Sequence, residues 1–239
     1  MNRDEKRTRA SALPPGIIDV EGVRALFPRE RTGGTWIAAN DSGVCLALIN
    51  WHRIEREPMG EILSRGEIVR ALSGKSSSDE IASSIIKLPL SRMRPFRLIA
   101  ISTREQIVIE WQWNLKRLAK RKRKWQTQHW FSSGFDEARA QRERTKVCAS
   151  VAAGDGDAGG GKPRAGVNAA GYSLALLRRL HQSHAPERGP FSICMHRDDA
   201  ATVSYTEVAV TPTRLTMRYK DTAPCLAGST AVTSLSLRR

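Results

Sequence analysis

The stretch Gly33–Asn50, GGTWIAANDSGVCLALIN, decides the fold class because two apolar runs lie on either side of a short polar turn. The runs are Thr35–Asn40 and Val44–Asn50, and the turn between them ends in Gly43. Since glycine adopts positive φ at little cost, this arrangement predicts a β-hairpin. Both runs are almost continuously apolar, which is typical of strands that are covered on both faces, as in a sandwich.

Strand signals recur further along the chain. Residues 96–113 (FRLIAISTREQIVIEWQW) contain two runs rich in Ile, Val and Trp and predict a second hairpin. Residues 201–210 and 214–220 predict two further strands, the second with apolar and polar residues in alternation. Residues 11–30 are rich in proline and glycine, and we expect a loop there.

Helix signals lie between these strands. Ser64 with Glu67, and Ser77 with Glu80, have the spacing of capping boxes, in which the two side chains cap one helix N-terminus. Segments 135–149 and 171–184 also have helical patterns. Because hairpins give antiparallel sheets and the helices must cover them, the order of elements predicts a layered α+β protein.

Composition narrows the classes of protein. No apolar run approaches the roughly 18 residues of a membrane span, and no apolar signal region begins the chain, so we expect a cytoplasmic location. The scattered cysteines form no CxxC pair, which argues against a disulfide framework or a structural zinc site; they are Cys45, Cys148, Cys194 and Cys225. We expect no cofactor.

The net charge of +15 raises the question of nucleic-acid binding. Seven basic residues and no acid occupy Lys116–Lys124, and tryptophans flank this run. Cations with aromatic side chains can hold single-stranded nucleic acid. The alternative is a solvated helix or loop inserted between two motifs, with Trp111 and Trp113 on one face of a strand and packed in the core. We favour the insertion and expect nucleic acid not to be the partner.

Several motifs, in this order, resemble the NRDE family, which is also called the transport and Golgi organization 2 family. They are Asn2–Glu5 (NRDE), the hairpin of residues 33–50, SRGEIVRAL at 64–72, HWFSSGFDEARAQRER at 129–144 and GPFSICMHRDDAATVSYTEV at 189–208. The last two are similar to segments of bacterial members. The resemblance covers most of residues 2–225. We therefore expect one domain over 1–225, with flexible insertions at about 115–125 and 149–169 and a disordered tail at 226–239.

The family in turn resembles N-terminal-nucleophile (Ntn) hydrolases, which implies an αββα sandwich of two antiparallel sheets covered by helices. In those enzymes a cysteine exposed by removal of the initiator methionine attacks an amide, and its own α-amine is the base. Here Asn2 occupies that place and already belongs to the motif. We therefore expect Asn2–Glu5 to be the end of a first strand that is otherwise missing.

The resemblance implies a hydrolase of non-peptide amide bonds in a small molecule. Without the cysteine we expect the chain as written to be inactive. One alternative is a non-enzymatic binding or trafficking protein for a haem-like ligand, since some relatives are linked to haem handling. A third is a basic nucleic-acid-binding protein.

The resemblance also implies catalytic residues. Arg3 and Asp4 would hold the thiolate and the amine, because a cation lowers a thiol pKa and a carboxylate orients an amine. The alternative is a solvated charge pair at the chain end. Asn50 would donate to the oxyanion, or it closes a turn at a strand end.

Trp36, Ser133 and Arg197 are the residues expected to bind substrate. Ser133 lies where related proteins carry an asparagine, and Arg197 precedes a strand. Cys194 and His196 are two possible metal ligands, but two ligands alone make a weak case, and we expect no metal. Cys45 lies in an apolar strand, where a thiol stays protonated and inert.

Overall fold

The computed structural model describes residues 1–54, 56–154 and 173–238, and these form two compact units. Unit 1 comprises Met1–Arg9, Gln126–Tyr205 and Lys220–Ser229, and unit 2 comprises Ala10–Trp125, Thr206–Tyr219 and Thr230–Arg239. The single domain expected over 1–225 stays a prediction.

Within the described residues the strands are β1 Asn2–Lys6, β2 Leu13–Val20, β3 Val23–Arg29, β4 Ile37–Asn40, β5 Val44–Asn50, β6 Phe96–Ser102, β7 Ile107–Trp113, β8 Leu118–Arg123, β9 Ala200–Val210, β10 Arg214–Lys220 and β11 Thr230–Ser236. The α-helices are α1 Gly66–Leu72, α2 Ser78–Ile85, α3 Glu137–Gly154 and α4 Leu174–Gln182. Among these residues no helix combines the length and the apolar character that a membrane crossing needs.

Unit 2 is built on a seven-stranded antiparallel sheet with the order β2-β3-β4-β5-β6-β7-β8. The two hairpins predicted from the apolar runs are present, with Ile37 opposite Ala47 in one and Phe96 opposite Trp113 in the other. Every strand pairs with its neighbours in sequence, through short connections except between β5 and β6, where the chain passes through α1 and α2.

The two faces of this sheet are covered by different layers. On one face α1 and α2 bury their apolar residues, Ile68 and Ile81 among them, in a core with Leu98 and Trp111. On the other face β10 and β11 pack against β3 and β4, and the core residues there are Leu26, Ala39, Leu215, Met217 and Leu235. Unit 2 is thus a helix–sheet–sheet arrangement.

The smaller sheet has the strand order β1-β9-β10-β11, and β9 has residues in both units. In unit 1, β1 pairs antiparallel with the first half of β9. Helices α3 and α4 share a small core there, formed by Val147, Cys148, Leu180 and Ile193. The predicted α+β class, with two antiparallel sheets and covering helices, is confirmed.

The loop predicted at residues 11–30 was wrong, because strands β2 and β3 form a hairpin there. Glu21 and Gly22 connect them with φ of 55° and 80°, the left-handed pair that a two-residue hairpin requires. The misleading residues were Pro14 and Pro15, which lie on an edge strand, where a missing backbone N–H is tolerated.

The flexible insertion predicted at 115–125 is instead strand β8, which pairs with β7 along its length. The solvated helix or loop expected for the basic run was therefore wrong. An extended chain satisfies the backbone groups along β7, and the long basic side chains still reach solvent. The expected core packing of Trp111 and Trp113 is confirmed.

The tail predicted to be disordered at 226–239 contains β11. Alternate residues of TAVTSLS face inward, and Leu235 is buried beside Leu215 and Met217. Within the predicted insertion at 149–169, residues 149–154 belong to α3, and the remainder lies outside the described residues.

The two predicted capping boxes differ. At α2, Ser77 accepts a hydrogen bond from the backbone N–H of Glu80, as predicted. At α1, Ser64 accepts from Gly66 instead of from Glu67, and Arg65 occupies the N-cap position.

Candidate functional site

Strand β1 carries the polar cluster that the sequence singled out, and its pairing with β9 is irregular. Arg3 lies opposite Ser204 and Asp4 lies opposite Thr202, so Val203 is an extra residue on β9. Such a β-bulge increases the local twist and changes the direction of neighbouring side chains. The expectation that Asn2–Glu5 lie in a strand is confirmed.

The side chain of Asn2 anchors the start of β1. Its Nδ2 group donates to the carbonyl oxygens of His181 at 3.0 Å and Ile193 at 2.8 Å. Its Oδ1 lies 3.1 Å from His181 Nδ1. Burial, together with the positive amino terminus, lowers the pKa of His181 well below its usual range. His181 is therefore neutral near pH 7, and its Nδ1–H donates to Asn2.

Asp4 forms the second part of the cluster. Thr202 Oγ1 donates to Asp4 Oδ1 at 2.6 Å, and an Arg144 nitrogen lies 3.8 Å from Asp4 Oδ2. Burial raises the pKa of Asp4, and the charge of Arg144 and the bond from Thr202 offset this only in part. The Asp4 carboxylate thus has few hydrogen-bond partners, and 26% of its side-chain surface is exposed.

Arg144 extends from α3 and is buried. Its terminal nitrogens donate to the carbonyl oxygens of Ser132 at 3.1 Å and Pro190 at 3.4 Å. Among the described residues neither Arg144 Nε nor the buried hydroxyl of Ser204 has a hydrogen-bond partner. Buried polar atoms are normally paired, so these two are available to a ligand or to water.

A second cluster in unit 1 brings together two histidines and two cysteines. Their ligand atoms all lie within 4.8 Å of one another, and the residues are His184, Cys194, His196 and Cys225. The sequence indicated only Cys194 and His196, because His184 and Cys225 lie 12 and 29 residues from His196 and the spacing matches no common motif. Burial and the neighbouring Cys225 thiol raise the pKa of Cys194 to about 12.

Arg3 and Asp4, the predicted catalytic residues on β1, lie in unit 1. Arg3 is buried and lies 3.9 Å from Glu5. The third predicted catalytic residue, Asn50, ends β5 in unit 2, where it pairs with Phe96.

Ser133 and Arg197, predicted to bind substrate, also lie in unit 1 and both contact Phe135. Ser133 Oγ accepts from the Phe135 N–H, and the Arg197 guanidinium lies 5.0 Å from the Phe135 ring. Arg197 also pairs with Asp199 at 2.7 Å. Trp36, the third such residue, is buried in unit 2 with its ring 6.5 Å from that of Tyr219. These role assignments stay predictions.

Sequence reasoning missed the groups that complete the β1 cluster. Arg144 and His181 lie on helices and Thr202 on β9, at separations of up to 198 residues from their partners. Arg144 was part of a quoted motif, but its helical pattern resembles that of an exposed, charged face. No local signal marks a residue whose partner comes from a distant strand.

No curated protein matches the chain. The solved structures that resemble the chain weakly include the following two. One is a single-residue variant of the conjugated bile acid hydrolase from Clostridium perfringens (9% identity, 98% of this chain and 87% of that chain, TM-score 0.44). The other is penicillin V acylase from Agrobacterium tumefaciens (10% identity, 96% and 80%, TM-score 0.40).

A family model gives a clearer result. The model described as Transport and Golgi organisation 2 matches residues 1–150, which is more than half of the chain. This match includes β1, the complete seven-stranded sheet and most of α3. It confirms the resemblance drawn from the sequence motifs, and the chain therefore belongs to the Transport and Golgi organisation 2 family.

Proposed function

We propose that the cluster on β1 binds the acyl-amide group of a small molecule, on a framework of the Ntn-hydrolase type. We further propose that the chain Met1–Arg239 binds this group without hydrolysing it. The observation that carries the proposal is the buried Arg144, whose Nε has no partner among the described residues and which lies beside the Asp4 carboxylate.

The chemistry of the cluster suits an amide. An arginine N–H donates to a carbonyl oxygen, and a buried donor stabilises negative charge on that oxygen more than a solvated donor does. The Ser204 hydroxyl, buried and without a partner among the described residues, is a second donor or acceptor on the adjacent strand. Asp4 can accept the amide N–H or a free amine. Arg3, Ser133 and Arg197 are proposed to line the same site.

The proposed lack of hydrolysis rests on the residues at the cluster. The carboxamide of Asn2 is not a nucleophile, and it is engaged by His181 and Ile193. Cys194 belongs to the second cluster, where its sulfur lies 3.4 Å from that of Cys225 and 3.6 Å from His196 Nε2. An acyl amide can therefore be bound and polarised here without forming an acyl-enzyme.

The test is calorimetric binding of N-acyl glycines of increasing acyl length, with hydrolysis followed in parallel. Arg144→Lys keeps the charge but removes the Nε–H, and we expect it to weaken binding about tenfold or more. The control is Arg142→Lys, an exposed position on the same helix, which should bind like the parent chain. Asn50→Ala and Trp36→Ala in the same assay test the two predicted roles in unit 2.

Two further measurements separate the alternatives. Adding a strand that begins Met-Cys ahead of Asn2 should produce hydrolysis, and Arg3→Ala should then slow alkylation of that cysteine because the cation favours the thiolate. Release of glycine by Met1–Arg239 itself would contradict the proposed lack of hydrolysis. Binding of haemin without binding of any N-acyl glycine would replace this proposal with the haem-like alternative.

A further inference from the structure

We propose that the His184–Cys194–His196–Cys225 cluster is a structural zinc site, which the sequence analysis did not expect. The cluster takes its residues from three segments of unit 1: the turn after α4, the segment that precedes β9 and the loop that follows β10. Two cysteine sulfurs and two histidine nitrogens are a common ligand set for structural zinc.

The spacing of the ligand atoms fits a tetrahedral metal. Zinc lies about 2.3 Å from sulfur and about 2.0–2.1 Å from nitrogen, so tetrahedral angles place two nitrogens about 3.3 Å apart and a sulfur and a nitrogen about 3.6 Å apart. Here the two histidine Nε2 atoms are 3.2 Å apart. His196 Nε2 lies 3.6 Å from the Cys194 sulfur and 3.4 Å from the Cys225 sulfur.

The sulfur–sulfur distance distinguishes a metal site from a disulfide. Cys194 and Cys225 are both free thiols, with their sulfurs 3.4 Å apart. A disulfide bond measures about 2.05 Å, and two zinc-bound thiolates lie about 3.8 Å apart. The observed distance is nearer to the zinc value, and a small outward movement of Cys225, the less buried of the two, would bring the sulfurs to that separation.

The backbone around the cluster holds the ligand-bearing segments in place. The N–H of Cys194 donates to the Ser183 carbonyl at 3.0 Å, which ties its segment to the turn that carries His184. The ammonium group of Lys220 donates to the carbonyls of Pro224 and Leu226, one on each side of Cys225. Such outer contacts orient metal ligands before the ion binds.

One contact outside the four ligands must change when zinc binds. A terminal nitrogen of Arg188 lies 3.5 Å from His196 Nδ1. When Nε2 binds the metal, Nδ1 carries the proton and cannot accept from Arg188, so this long contact is lost. Binding releases the two thiol protons, and two thiolates with two neutral imidazoles balance the charge of the zinc ion.

The site has a structural consequence for unit 1. Four protein ligands close the coordination sphere, which is typical of structural rather than catalytic zinc. Met195, between two of the ligands, donates its N–H to Thr202 Oγ1, and that hydroxyl donates to Asp4. The metal would thereby fix the residues beneath the β1 cluster, although the zinc proposal does not depend on the function proposed for that cluster.

The first experiment measures metal in the full chain purified under reducing conditions without chelator. We expect about one zinc ion per chain, and cobalt(II) exchange should give thiolate-to-cobalt charge-transfer bands with the intense visible bands of tetrahedral coordination. Cys225→Ser and His184→Asn should each lower zinc affinity more than about 100-fold, since even outer contacts contribute 10–100-fold. The matched control is Cys148→Ser, a buried cysteine of the same unit outside the cluster, which should retain the metal.

A second measurement covers the case in which a ligand variant fails to fold. In the folded parent chain, a chelator should increase the rate at which a disulfide reagent modifies two thiols, and added zinc should reverse the effect. A reduced, folded chain that takes up neither zinc nor cobalt would overturn the proposal, as would a cobalt spectrum without thiolate bands. A Cys194–Cys225 disulfide in freshly isolated, metal-free protein would overturn it in favour of a redox pair.

Discussion

Glu110 in unit 2 and Asp4 in unit 1 are both carboxylates on strands, yet their surroundings shift their pKa values in opposite directions. Burial opposes ionisation of Glu110, but bonds from Gln112 at 2.8 Å, Arg97 at 2.6 Å and Arg123 at 2.8 Å outweigh it and lower its pKa to about 2. Burial raises the pKa of Asp4, which has one hydroxyl and one distant arginine.

This difference separates a fully buried carboxylate whose partners are complete from a partly buried one whose partners are not. Both oxygens of Glu110 are satisfied within the sheet, so the group cross-links β6, β7 and β8 and has no capacity left for a ligand. Asp4 and Arg144 keep unused capacity, which costs stability and is typical of binding sites. A buried charged group thus indicates a binding site mainly when the protein does not use all of its hydrogen-bonding capacity.

The largest expected effect comes from neutralising the satisfied carboxylate. Glu110→Gln leaves Arg97 and Arg123 without a counter-charge in a buried setting, and we expect a loss of about 3 kcal/mol or more in the free energy of unfolding. Chemical denaturation measures it. Glu57→Gln removes the partner of Arg94 at an exposed ion pair and should change stability by about 0.5 kcal/mol or less. Equal effects of the two substitutions would remove the basis of the comparison.

Lowering the pH should change the contributions of Glu110 and Asp4 to the free energy of unfolding in opposite directions. Because the pKa of Glu110 is depressed in the folded state, its contribution is present above its ordinary pKa of 4.5 and is lost as the pH falls towards about 2. Because the pKa of Asp4 is raised, its contribution falls as the pH rises above its ordinary value of 3.8.

Denaturation midpoints measured from pH 6 down to about pH 2 test these signs. The stability of Glu110→Gln should fall less than that of the parent over this range. The stability of Asp4→Asn should fall more steeply than that of the parent, because protonation of Asp4 no longer offsets part of the loss. Curves that stay parallel to the parent in both variants would contradict both assignments.

Removing a neutral donor from Asp4 should have an intermediate effect. Thr202→Val keeps the shape of the side chain but deletes both the 2.6 Å bond to Asp4 and the 2.9 Å bond from the Met195 N–H, so the free energy of unfolding near pH 7 should fall by about 2 kcal/mol. Thr216→Val, which removes a hydroxyl from an exposed pair with Ser234, is the control and should be close to neutral. A Thr202→Val variant as stable as its parent would mean that neither hydrogen bond of this hydroxyl stabilises the fold.

The smallest effect is expected from the equivalent change beside Glu110. Gln112→Met deletes one neutral donor, but three hydrogen bonds from two arginines remain, so we expect a loss of about 1 kcal/mol or less. The acid midpoint should move upward, because the bond from Gln112 favours the ionised carboxylate. A loss larger than that of Thr202→Val would show that the Glu110 bonds act cooperatively and not as independent contacts.

The sequence predicted the elements whose signal is local. The hairpins β4–β5 and β6–β7 follow from apolar runs of strand length, and α2 begins where Ser77 and Glu80 indicated. Strand β8 was missed because a charged run has no apolar period, and its pairing depends on the edge of β7. Strand β11 was missed because most residues of this tail are small or polar. Its inward face is recognisable only from the core that Leu235 shares with the seven-stranded sheet.

The candidate sites were less predictable because their residues meet through tertiary structure. The motif at Asn2–Glu5 indicated the position of one cluster, but nothing near it in sequence indicates Arg144 or Thr202. Cys225 lies 29 residues from His196 along the chain, and only the loop after β10 brings the two together. Spacing rules apply to ligands on one segment, whereas these come from three.

Both edge strands of the seven-stranded sheet, β2 and β8, carry residues that disfavour pairing with another copy of the chain. An open strand edge is a template on which a second chain can add a strand, and such addition leads to aggregation. Pro14 and Pro15 on β2 offer no N–H groups for such pairing, and the exposed Lys120, Arg121 and Lys122 of β8 would meet like charges on an identical neighbour. The two segments that we expected to be a loop and an insertion thus disfavour the addition of a strand from another copy of the chain at high concentration.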